Sequence, residues 1–347
     1  MTTTSEAPPG LDLDALGTWF AAQVPDSGDK LRATLIAGGR SNLTYVVTDG
    51  AHEWIVRRPP LGHVLATAHD MAREYRVMSA LQDTAVPVPR TFAMCTEPSV
   101  IGADFYVMER CVGTPYRRAA ELEPLGPERT RTISERLIDT LAALHAVDPA
   151  SVGLTDFGRP DGFLGRQVAR WKKQLEASYT RDLPAADELH RRLADSVPAE
   201  SAAGIVHGDF RLDNVLVDQA DQVTAVLDWE MATLGDPLTD LALMLVYFRL
   251  GAAAAAGDGD DSTSDVSAAP GFLDERAIIE RYSYGSDRDL SGFGFYLGLA
   301  AFKLAAILEG IHYRYLHGQT VGGGFDRIGE TIQPLLEAGL DALKENN

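Results

Sequence analysis

The chain has 347 residues, of which 45% are hydrophobic and 23% are charged, as in an ordinary folded globular protein. Its formal net charge of -19 argues against a nucleic-acid partner, because contact with phosphates requires a basic surface. Cys95 and Cys111 form neither a metal-binding spacing nor a disulfide framework, and the N-terminus lacks the pattern of a secretory signal, so we expect a cytoplasmic protein.

The first third of the chain predicts one helix followed by short strands. Residues 11–24 have apolar side chains at helical spacing. Residues 31–36, 43–48 and 53–57 are predicted to form three strands separated by glycine-containing turns. Residues 104–110 predict one more strand, which ends at a Gly-Thr-Pro segment.

A helix predicted over residues 67–81 has a carboxylate on its apolar face. Glu74 lies among the methionine and leucine residues of this face, so we expect its side chain to point inward. A buried carboxylate requires a partner. The alternative is a surface ion pair with the neighbouring Arg73 or Arg76.

The second half of the chain predicts helices and one low-complexity segment. Residues 129–145 have helical periodicity. Residues 251–269 are rich in Ala, Gly, Asp and Ser, which favours a flexible insertion; a lid is the alternative. The apolar run 293–311 contains Lys303 and Glu309, and these charges favour a buried helix over a membrane span.

Residues 205–214 and the following Asp228 contain the groups that carry chemistry. Asp209, Asn214 and Asp228 each adjoin an apolar, strand-like run, which brings them into one small volume. Mg²⁺ prefers hard oxygen ligands, so we expect it on Asn214 and Asp228. Asp209 then serves as the base that accepts a hydrogen bond, and late in the reaction the proton, from an attacking hydroxyl. Arg211 is expected to contact the transferring phosphate; a solvent-facing arginine is the alternative.

Three polar residues near this segment have structural interpretations. His207 lacks the nucleophile that a catalytic triad requires, so we expect it to bond to local backbone or to Asp228. Asp236 precedes Pro237 and fits the N-cap of a helix, with a direct functional role as the alternative. Asp240, one turn further on, is expected to brace the catalytic loop.

The pattern His-x-Asp-x-x-x-x-Asn with a downstream apolar-Asp segment resembles the catalytic and metal-binding segments of the aminoglycoside phosphotransferase family, which shares the protein-kinase fold. The resemblance covers nearly the whole chain after residue 30. It implies a bilobal α+β fold, with a small β-sheet lobe containing one helix in residues 1–110 and a large, mainly helical lobe in residues 111–347. It also implies ATP and Mg²⁺ as cofactors and a small-molecule hydroxyl as the acceptor.

The same resemblance implies the nucleotide-binding residues of the first lobe. Backbone amides near Ser41 and Asn42 are expected to cradle the ATP phosphates, although a plain hairpin turn has the same sequence pattern. Arg57 stands where kinases carry the lysine that pairs with the phosphates, and it is the implied partner of Glu74.

The strand at residues 104–110 corresponds to the hinge of the resembled fold. The backbone of Glu109 and Cys111 is expected to bond the adenine, and Met108 to form the back wall of its pocket. In that family the C-terminal helices border the acceptor, which makes Lys303 and Glu309, as well as His312 and Arg314, candidates for acceptor contacts or structural ion pairs.

Within the family the chain resembles the branch related to the kinase-like domain fused to acyl-CoA dehydrogenases. Arg57 and Arg211 stand where drug-resistance enzymes carry Lys and usually His. The sequence is compatible with three functions: a small-molecule phosphotransferase, a protein kinase, and a non-catalytic nucleotide-binding module. The protein kinase is disfavoured because an Asp-Phe-Gly or Ala-Pro-Glu segment does not follow Asp228. The acceptor and the oligomeric state do not follow from the sequence.

Overall fold

A computed structural model describes residues 8–36, 42–62, 69–199, 203–256, 264–320 and 325–344. The chain divides into two compact units. The first comprises Met1–Gly113 together with Thr224–Ala232, and the second comprises Thr114–Val223 together with Thr233–Asn347. A sheet in the first unit and mainly helices in the second confirm the expected α+β class.

The first unit is built on a five-stranded sheet. Its elements are α1 (Leu13–Gln23), β1 (Arg32–Leu35), β2 (Leu43–Thr48), β3 (Glu53–Arg58), α2 (Met71–Leu81), β4 (Thr91–Cys95), α3 (Pro98–Ile101) and β5 (Phe105–Glu109). All neighbouring strands are antiparallel, in the order β1-β2-β3-β5-β4. The sequence did not predict β4, a five-residue strand with alternating burial.

The two faces of this sheet have different roles, because side chains alternate along each strand. One face packs against Leu16 and Phe20 of α1 to form the core. Its strand residues are Tyr45, Val47, Trp54, Val56, Phe105 and Val107. The opposite face places Arg57 of β3 directly across from Tyr106 of β5 in the strand register.

Helix α2 begins at Met71, directly after its N-cap residue Asp70 and four residues later than the sequence predicts. The carboxylate of Asp70 accepts a hydrogen bond from the backbone N–H of Arg73 at 2.9 Å, which satisfies a donor of the first turn. Residues 67 and 68, where the predicted helix starts, lie outside the described residues. The inward orientation of Glu74 is confirmed, since its side chain is 1% exposed.

The second unit contains most of the helices. Its elements are α4 (Ala119–Leu122), α5 (Pro127–Ala146), α6 (Phe163–Glu176), α7 (Pro184–Asp195), β6 (Gly204–Val206), β7 (Val215–Val217), β9 (Thr233–Gly235), α8 (Leu238–Ala256), α9 (Glu275–Tyr284), α10 (Phe293–Leu316) and α11 (Ile328–Ala342). Strand β8 (Val223–Val226) spans the division between the units. Strands β6 and β9 pair antiparallel, and the segment between β6 and β7 contains the predicted catalytic residues.

The long helix α10 forms the centre of the second unit. It packs against α6, α7, α8 and α11, and most of its side chains up to Ala306 are buried. Both α8 and α10 are long and apolar enough to cross a membrane by length and composition alone. More than half of each apolar window is buried inside the structure, as expected for core helices.

The predicted insertion at residues 251–269 is only partly an irregular segment. Its first residues continue helix α8 to Ala256, and Val266–Ala268 forms a single helical turn in which Val266 is buried. The alanine run explains the difference, because alanine has the highest helix propensity. Residues 257–263 lie outside the described residues.

Candidate functional site

Arg57 and Glu74 form a buried ion pair in the first unit. The Nε atom of Arg57 lies 3.0 Å from Oε2 of Glu74. The hydroxyl of Tyr106 donates to Oε2 at 2.9 Å, and the side-chain amide of Asn42 donates to Oε1 at 2.9 Å. The predicted pairing of Glu74 with Arg57, rather than with its helical neighbours, is therefore confirmed.

The pKa of Glu74 is raised to about 7 by this environment. Burial is the largest cause, because it penalises the charged form of the carboxyl group. The positive charge of Arg57 and the hydrogen bond from Tyr106 oppose the effect of burial and only partly offset it. Glu74 can therefore change its protonation near neutral pH.

Asp228 shares the guanidinium of Arg57. The Nη2 atom of Arg57 donates to Oδ1 of Asp228 at 2.5 Å. The backbone of Asp228 is left-handed, with φ 64° and ψ 58°, a conformation that costs free energy for a residue other than glycine. Such strain is concentrated at functional positions, and here it occurs at one of the two predicted metal ligands.

The segment after Asp228 is also tied to helix α2. Arg73 donates from Nε and Nη2 to the carbonyl oxygen of Ala232, at 3.0 and 2.9 Å. The amide of Asn42 lies 3.5 Å from a carboxylate oxygen of Glu230. Helix α2, through Arg73, and Asn42, just before β2, thus both contact the segment that follows Asp228, which the sequence did not indicate.

Asn42 is buried, and the structure gives its side chain a positioning function. Its side-chain oxygen lies 2.8 Å from Nδ1 of His69, while its nitrogen bonds Glu74. The predicted contact of its backbone with phosphate stays a prediction. Ser41, predicted for the same contact, lies outside the described residues.

The predicted adenine-binding strand ends as β5 at Glu109. Met108 is buried, and the backbone N–H of Glu109 donates to the carbonyl of Arg90 at 2.7 Å, so this N–H is already bonded within the protein. Burial, followed by the charge of Glu109, raises the pKa of the half-buried Cys111 thiol to about 12, which keeps it protonated. The roles of Met108, Glu109 and Cys111 toward adenine stay predictions.

In the second unit the predicted catalytic loop is held by Asp240 of α8. Its two carboxylate oxygens accept the backbone N–H groups of His207 and Gly208, at 2.6 and 2.7 Å. Gly208 has φ 89°, a conformation that favours glycine. Burial acts to raise the pKa of Asp240, but the bonds from His145 and the loop outweigh it, and the pKa lies below its usual range. The predicted brace is confirmed.

His207 has the structural function that the sequence suggested. Its Nδ1 accepts the backbone N–H of Asp209 at 3.3 Å, and the ring is fully buried. Because Nδ1 acts as an acceptor, a neutral ring carries its proton on Nε2. The predicted N-cap at Asp236 is also confirmed, since Oδ1 accepts the N–H of Leu238 at 3.1 Å.

The carboxylate of Asp209 is oriented by Asn214. The side-chain nitrogen of Asn214 donates to Oδ2 of Asp209 at 3.0 Å and to its backbone carbonyl at 2.8 Å. Both amide hydrogens of Asn214 are used in this way, which leaves its side-chain oxygen as the atom that can ligate a cation. Asn214 belongs to the second unit and Asp228 to the first.

Arg211 is partly buried and packs against an aromatic ring instead of extending into solvent. Its guanidinium lies over the ring of Tyr247, 4.7 Å from the ring centroid. Its Nη2 pairs with Asp213 at 3.1 Å, and its Nε lies 3.5 Å from Oδ2 of Asp209. The solvent-facing alternative is therefore wrong, and the contact with phosphate stays a prediction.

Lys303 of α10 reaches the same loop from another direction. Its ammonium group donates to the carbonyl oxygen of Gly208 at 2.9 Å and lies 5.6 Å from the ring centroid of Trp171. Burial lowers the pKa of Lys303, and the nearby charges of Asp209 and Asp240 oppose the shift. This lysine was one of several acceptor-contact candidates, and the structure brings it next to Asp209.

Glu309, another of those candidates, is a structural ion pair. It is fully buried and accepts hydrogen bonds from the N–H and hydroxyl of Thr180, at 3.0 and 2.6 Å. Arg181 lies 3.2 Å from its second oxygen. Among the residues that the structure describes, there is no group of three or more His, Cys, Asp or Glu side chains arranged to hold a metal ion.

Comparison with known proteins relates this arrangement to phosphate transfer. Residues 32–274 match the family described as "Phosphotransferase enzyme family". Acyl-CoA dehydrogenase family member 11 of Rattus norvegicus is 34% identical over 336 residues, which cover 95% of this chain. The match covers 43% of that relative, so the chain spans less than half of its length.

Two solved structures share the fold. One, from Ralstonia eutropha JMP134 and provisionally named an aminoglycoside phosphotransferase, is 33% identical with a TM-score of 0.84, covering 96% of this chain and 98% of that one. The other is a thermostable mutant of aminoglycoside phosphotransferase APH(4)-Ia in a complex with AMP-PNP and hygromycin B. It is 15% identical with a TM-score of 0.59, covering 94% of this chain and 98% of that one, and shows the fold alone.

Proposed function

Because this chain belongs to the phosphotransferase enzyme family, we propose that it transfers the γ-phosphate of ATP to a hydroxyl group of a small molecule, with Mg²⁺ as the bound cation. The observation that carries the proposal is the orientation of Asp209. Its carboxylate is held by Asn214, and the preceding loop is held by Asp240. A carboxylate fixed in this way can orient an incoming hydroxyl group.

In the proposed reaction, the acceptor hydroxyl donates a hydrogen bond to Asp209 while its oxygen attacks the γ-phosphorus of ATP. The new O–P bond forms as the bond to the β-phosphate bridging oxygen breaks, and ADP leaves with that electron pair. The proton passes to Asp209 late, when the hydroxyl oxygen has become acidic. Positioning of the reactants, to which Asp209 contributes, and neutralisation of charge are what this reaction needs from the protein.

The residues predicted to hold Mg²⁺ fit that ion by their chemistry. Asn214 has its side-chain oxygen left for a ligand, and Asp228 supplies a carboxylate on a strained backbone. Both are hard oxygen donors, of the kind that Mg²⁺ selects. When bound, Mg²⁺ neutralises charge on the phosphates. Arg57, held by Glu74, would add a positive charge for the same phosphates.

The test is ADP release from Mg²⁺-ATP over a panel of acceptors. The panel contains aminoglycosides, macrolides and hydroxyacyl-CoA thioesters; the names of the solved structures and of the curated relative support the first and the last of these classes. Asp209→Ala should abolish acceptor-dependent release and spare ATP affinity. Asp218→Ala is the matched control, because the carboxylate of Asp218 accepts two backbone N–H groups within the turn after β7.

A second candidate function is a non-catalytic nucleotide-binding module. One observation favours it: Arg57 already donates to Oδ1 of Asp228, which gives this carboxylate a protein cation as partner. Under this alternative ATP binds, no acceptor yields ADP, and Asp209→Ala changes nothing measurable. Acceptor-dependent turnover by the wild-type protein would exclude it.

A further inference from the structure

Lys303 places a positive charge against the peptide group that joins Gly208 to Asp209. Its ammonium group donates a hydrogen bond to the carbonyl oxygen of Gly208 at 2.9 Å. Lys303 belongs to helix α10, whereas Asp209 belongs to the loop between β6 and β7. Two separate elements of the second unit therefore bring a cation beside the residue that is proposed to orient the acceptor hydroxyl.

The ammonium group of Lys303 has more hydrogen-bond donors than the protein uses. An ammonium has three N–H donors. In the part of the chain that the structure describes, the carbonyl of Gly208 is its single acceptor, and no carboxylate forms an ion pair with it. Asp209 and Asp240 act on its charge from a longer distance. Charged groups removed from water are usually paired, so the remaining donors point to a bound molecule.

Trp171 of α6 adjoins the ammonium group and carries a second cation. Its buried ring has its centroid 5.6 Å from Nζ of Lys303 and 5.1 Å from the guanidinium carbon of Arg170. Arg170 is exposed, and none of the described carboxylates pairs with it. In a chain with 31 Lys and Arg against 50 Asp and Glu, two neighbouring cations without a carboxylate partner are not a general property of the surface.

We propose that Lys303, together with the exposed Arg170, binds an acidic group of the acceptor, a carboxylate or a phosphate, and so determines which hydroxyl compounds react. This inference rests on the proposed function. An anion close to Asp209 is repelled by that carboxylate, and the charge of Lys303 offsets the repulsion. The same charge repels a polycationic acceptor, so aminoglycosides should be poor acceptors for this chain.

The first test measures binding without turnover. The chain contains five lysines, so a protein that is isotope-labelled only in its lysine side chains gives few NMR signals. The signal of Lys303 is identified by its absence in Lys303→Met. The probes are glycerate, glycerol phosphate, glycerol and serinol, which share a three-carbon skeleton with hydroxyl groups and differ in charge. We expect at least one of the two acidic probes to shift the Lys303 signal in a saturable way, and glycerol and serinol to leave it unchanged.

The signal of Lys172 is the control within the same spectrum. This lysine also lies near an aromatic ring, with Nζ 5.8 Å from the ring centroid of Tyr179. It already pairs with Asp187 and Glu176, so the acidic probes should not shift its signal in a saturable way. A Lys303 signal that responds to neither acidic probe, or equally to all probes, would overturn the proposal.

The second test uses the acceptor that the ADP-release panel identifies. Lys303→Met removes the charge and keeps a long, flexible side chain. For an acidic acceptor we expect its KM to rise by about tenfold to a hundredfold, with kcat and the KM for ATP little changed, because the lost contact is one of binding. The amide or dephosphorylated form of the same acceptor should lose at most about threefold. Arg170→Met, at an exposed position, should raise the KM by about twofold to fivefold, and Lys172→Met should leave it unchanged.

A lysine that only holds the carbonyl of Gly208 predicts another pattern. Lys303→Met would then lower kcat by the same factor for acidic and neutral acceptors. That result, or phosphorylation of aminoglycosides without activity toward any acidic acceptor, would overturn this proposal while phosphotransfer stands. A Lys303 signal that shifts with the acidic probes, in a protein that releases no ADP with any acceptor, would support the anion site and overturn the proposed function.

Discussion

Arg57 pairs with two carboxylates from the two separate stretches of the first unit: its Nε lies 3.0 Å from Oε2 of Glu74, and its Nη2 donates a hydrogen bond to Asp228. A guanidinium has donors at separate corners of a planar fork, whereas an ammonium group is a single point of charge. The geometry therefore explains why an arginine, and not a lysine, occupies this position: only a guanidinium can reach both carboxylates from separate nitrogen atoms. Each of its two partners lies in a segment that sequence analysis connects with the nucleotide.

The Arg57 pairing predicts unequal effects for two substitutions by lysine. Arg57→Lys should lower the free energy of unfolding by about 1–3 kcal/mol, because one ammonium cannot reproduce both contacts. Arg110→Lys is the control, because Arg110 pairs with Glu53 and both side chains are about half exposed. This substitution should change the free energy of unfolding by no more than about 0.5 kcal/mol. Urea denaturation of both variants measures the difference, and equal losses would contradict the shared-fork interpretation.

The raised pKa of Glu74 predicts a pH-dependent stability. The folded protein holds this proton up to a pKa of about 7, whereas the ordinary value is 4.5. The folded state therefore binds more protons between these values, and the free energy of unfolding should fall as pH rises through this window. The slope from this one group is at most about 1.4 kcal/mol per pH unit.

Glu74→Gln removes the titrating group and provides the comparison. Denaturant titrations from pH 4 to pH 8 give the free energy of unfolding of both proteins. The wild-type value should fall relative to the Glu74→Gln value as pH rises from 4.5 to about 7, and the difference between them should stay constant above that pH. Curves that stay parallel throughout would show that the pKa of Glu74 is the same in the folded and unfolded states.

The brace at Asp240 predicts a local loss of order in the catalytic loop. Asparagine retains one acceptor oxygen, so Asp240→Asn should leave one buried N–H of His207 or Gly208 without its partner, at a cost of about 1–3 kcal/mol. Hydrogen exchange at these two amides should accelerate. Asp236→Asn serves as the control, because it should affect the amide of Leu238 instead. Unchanged exchange at His207 and Gly208 would mean that the loop is held by other contacts.

The metal assignment predicts a loss of nucleotide binding that depends on Mg²⁺. Asn214→Ala and Asp228→Ala should each weaken Mg²⁺-ATP binding by about tenfold or more, because one hard oxygen ligand is lost. ATP binding measured by calorimetry in EDTA should change little, which separates a metal effect from a folding effect. An Asp228→Ala protein that binds Mg²⁺-ATP with wild-type affinity would rule out this assignment.

Many residues of the candidate site could be predicted because the sequence patterns that mark them lie within short segments of the chain. The spacing from Asp209 to Asn214 and the apolar face around Glu74 each lie within one short segment. The bracing function of Asp240 followed from its place one turn into a capped helix. Such patterns depend on helix geometry and on the chemistry of single residue types, which the sequence states directly.

The remaining contacts join residues that are far apart in sequence. Tyr106, Tyr247 and Lys303 meet their partners Glu74, Arg211 and Gly208 because of strand register and helix packing. Neither strand register nor helix packing follows from a local sequence pattern. Strand β4 was missed because it is short and follows a proline-rich segment.

The first unit draws its residues from two separate stretches of the chain. A gene fragment that stops at Gly113 would encode the whole sheet and the three helices α1, α2 and α3, and would still lack Asp228 and Ala232. Arg57 would then keep one carboxylate partner instead of two, and Arg73 would lose the carbonyl that receives its side chain. A recombinant version of this lobe therefore has to include residues 224–232, by circular permutation or by a grafted loop.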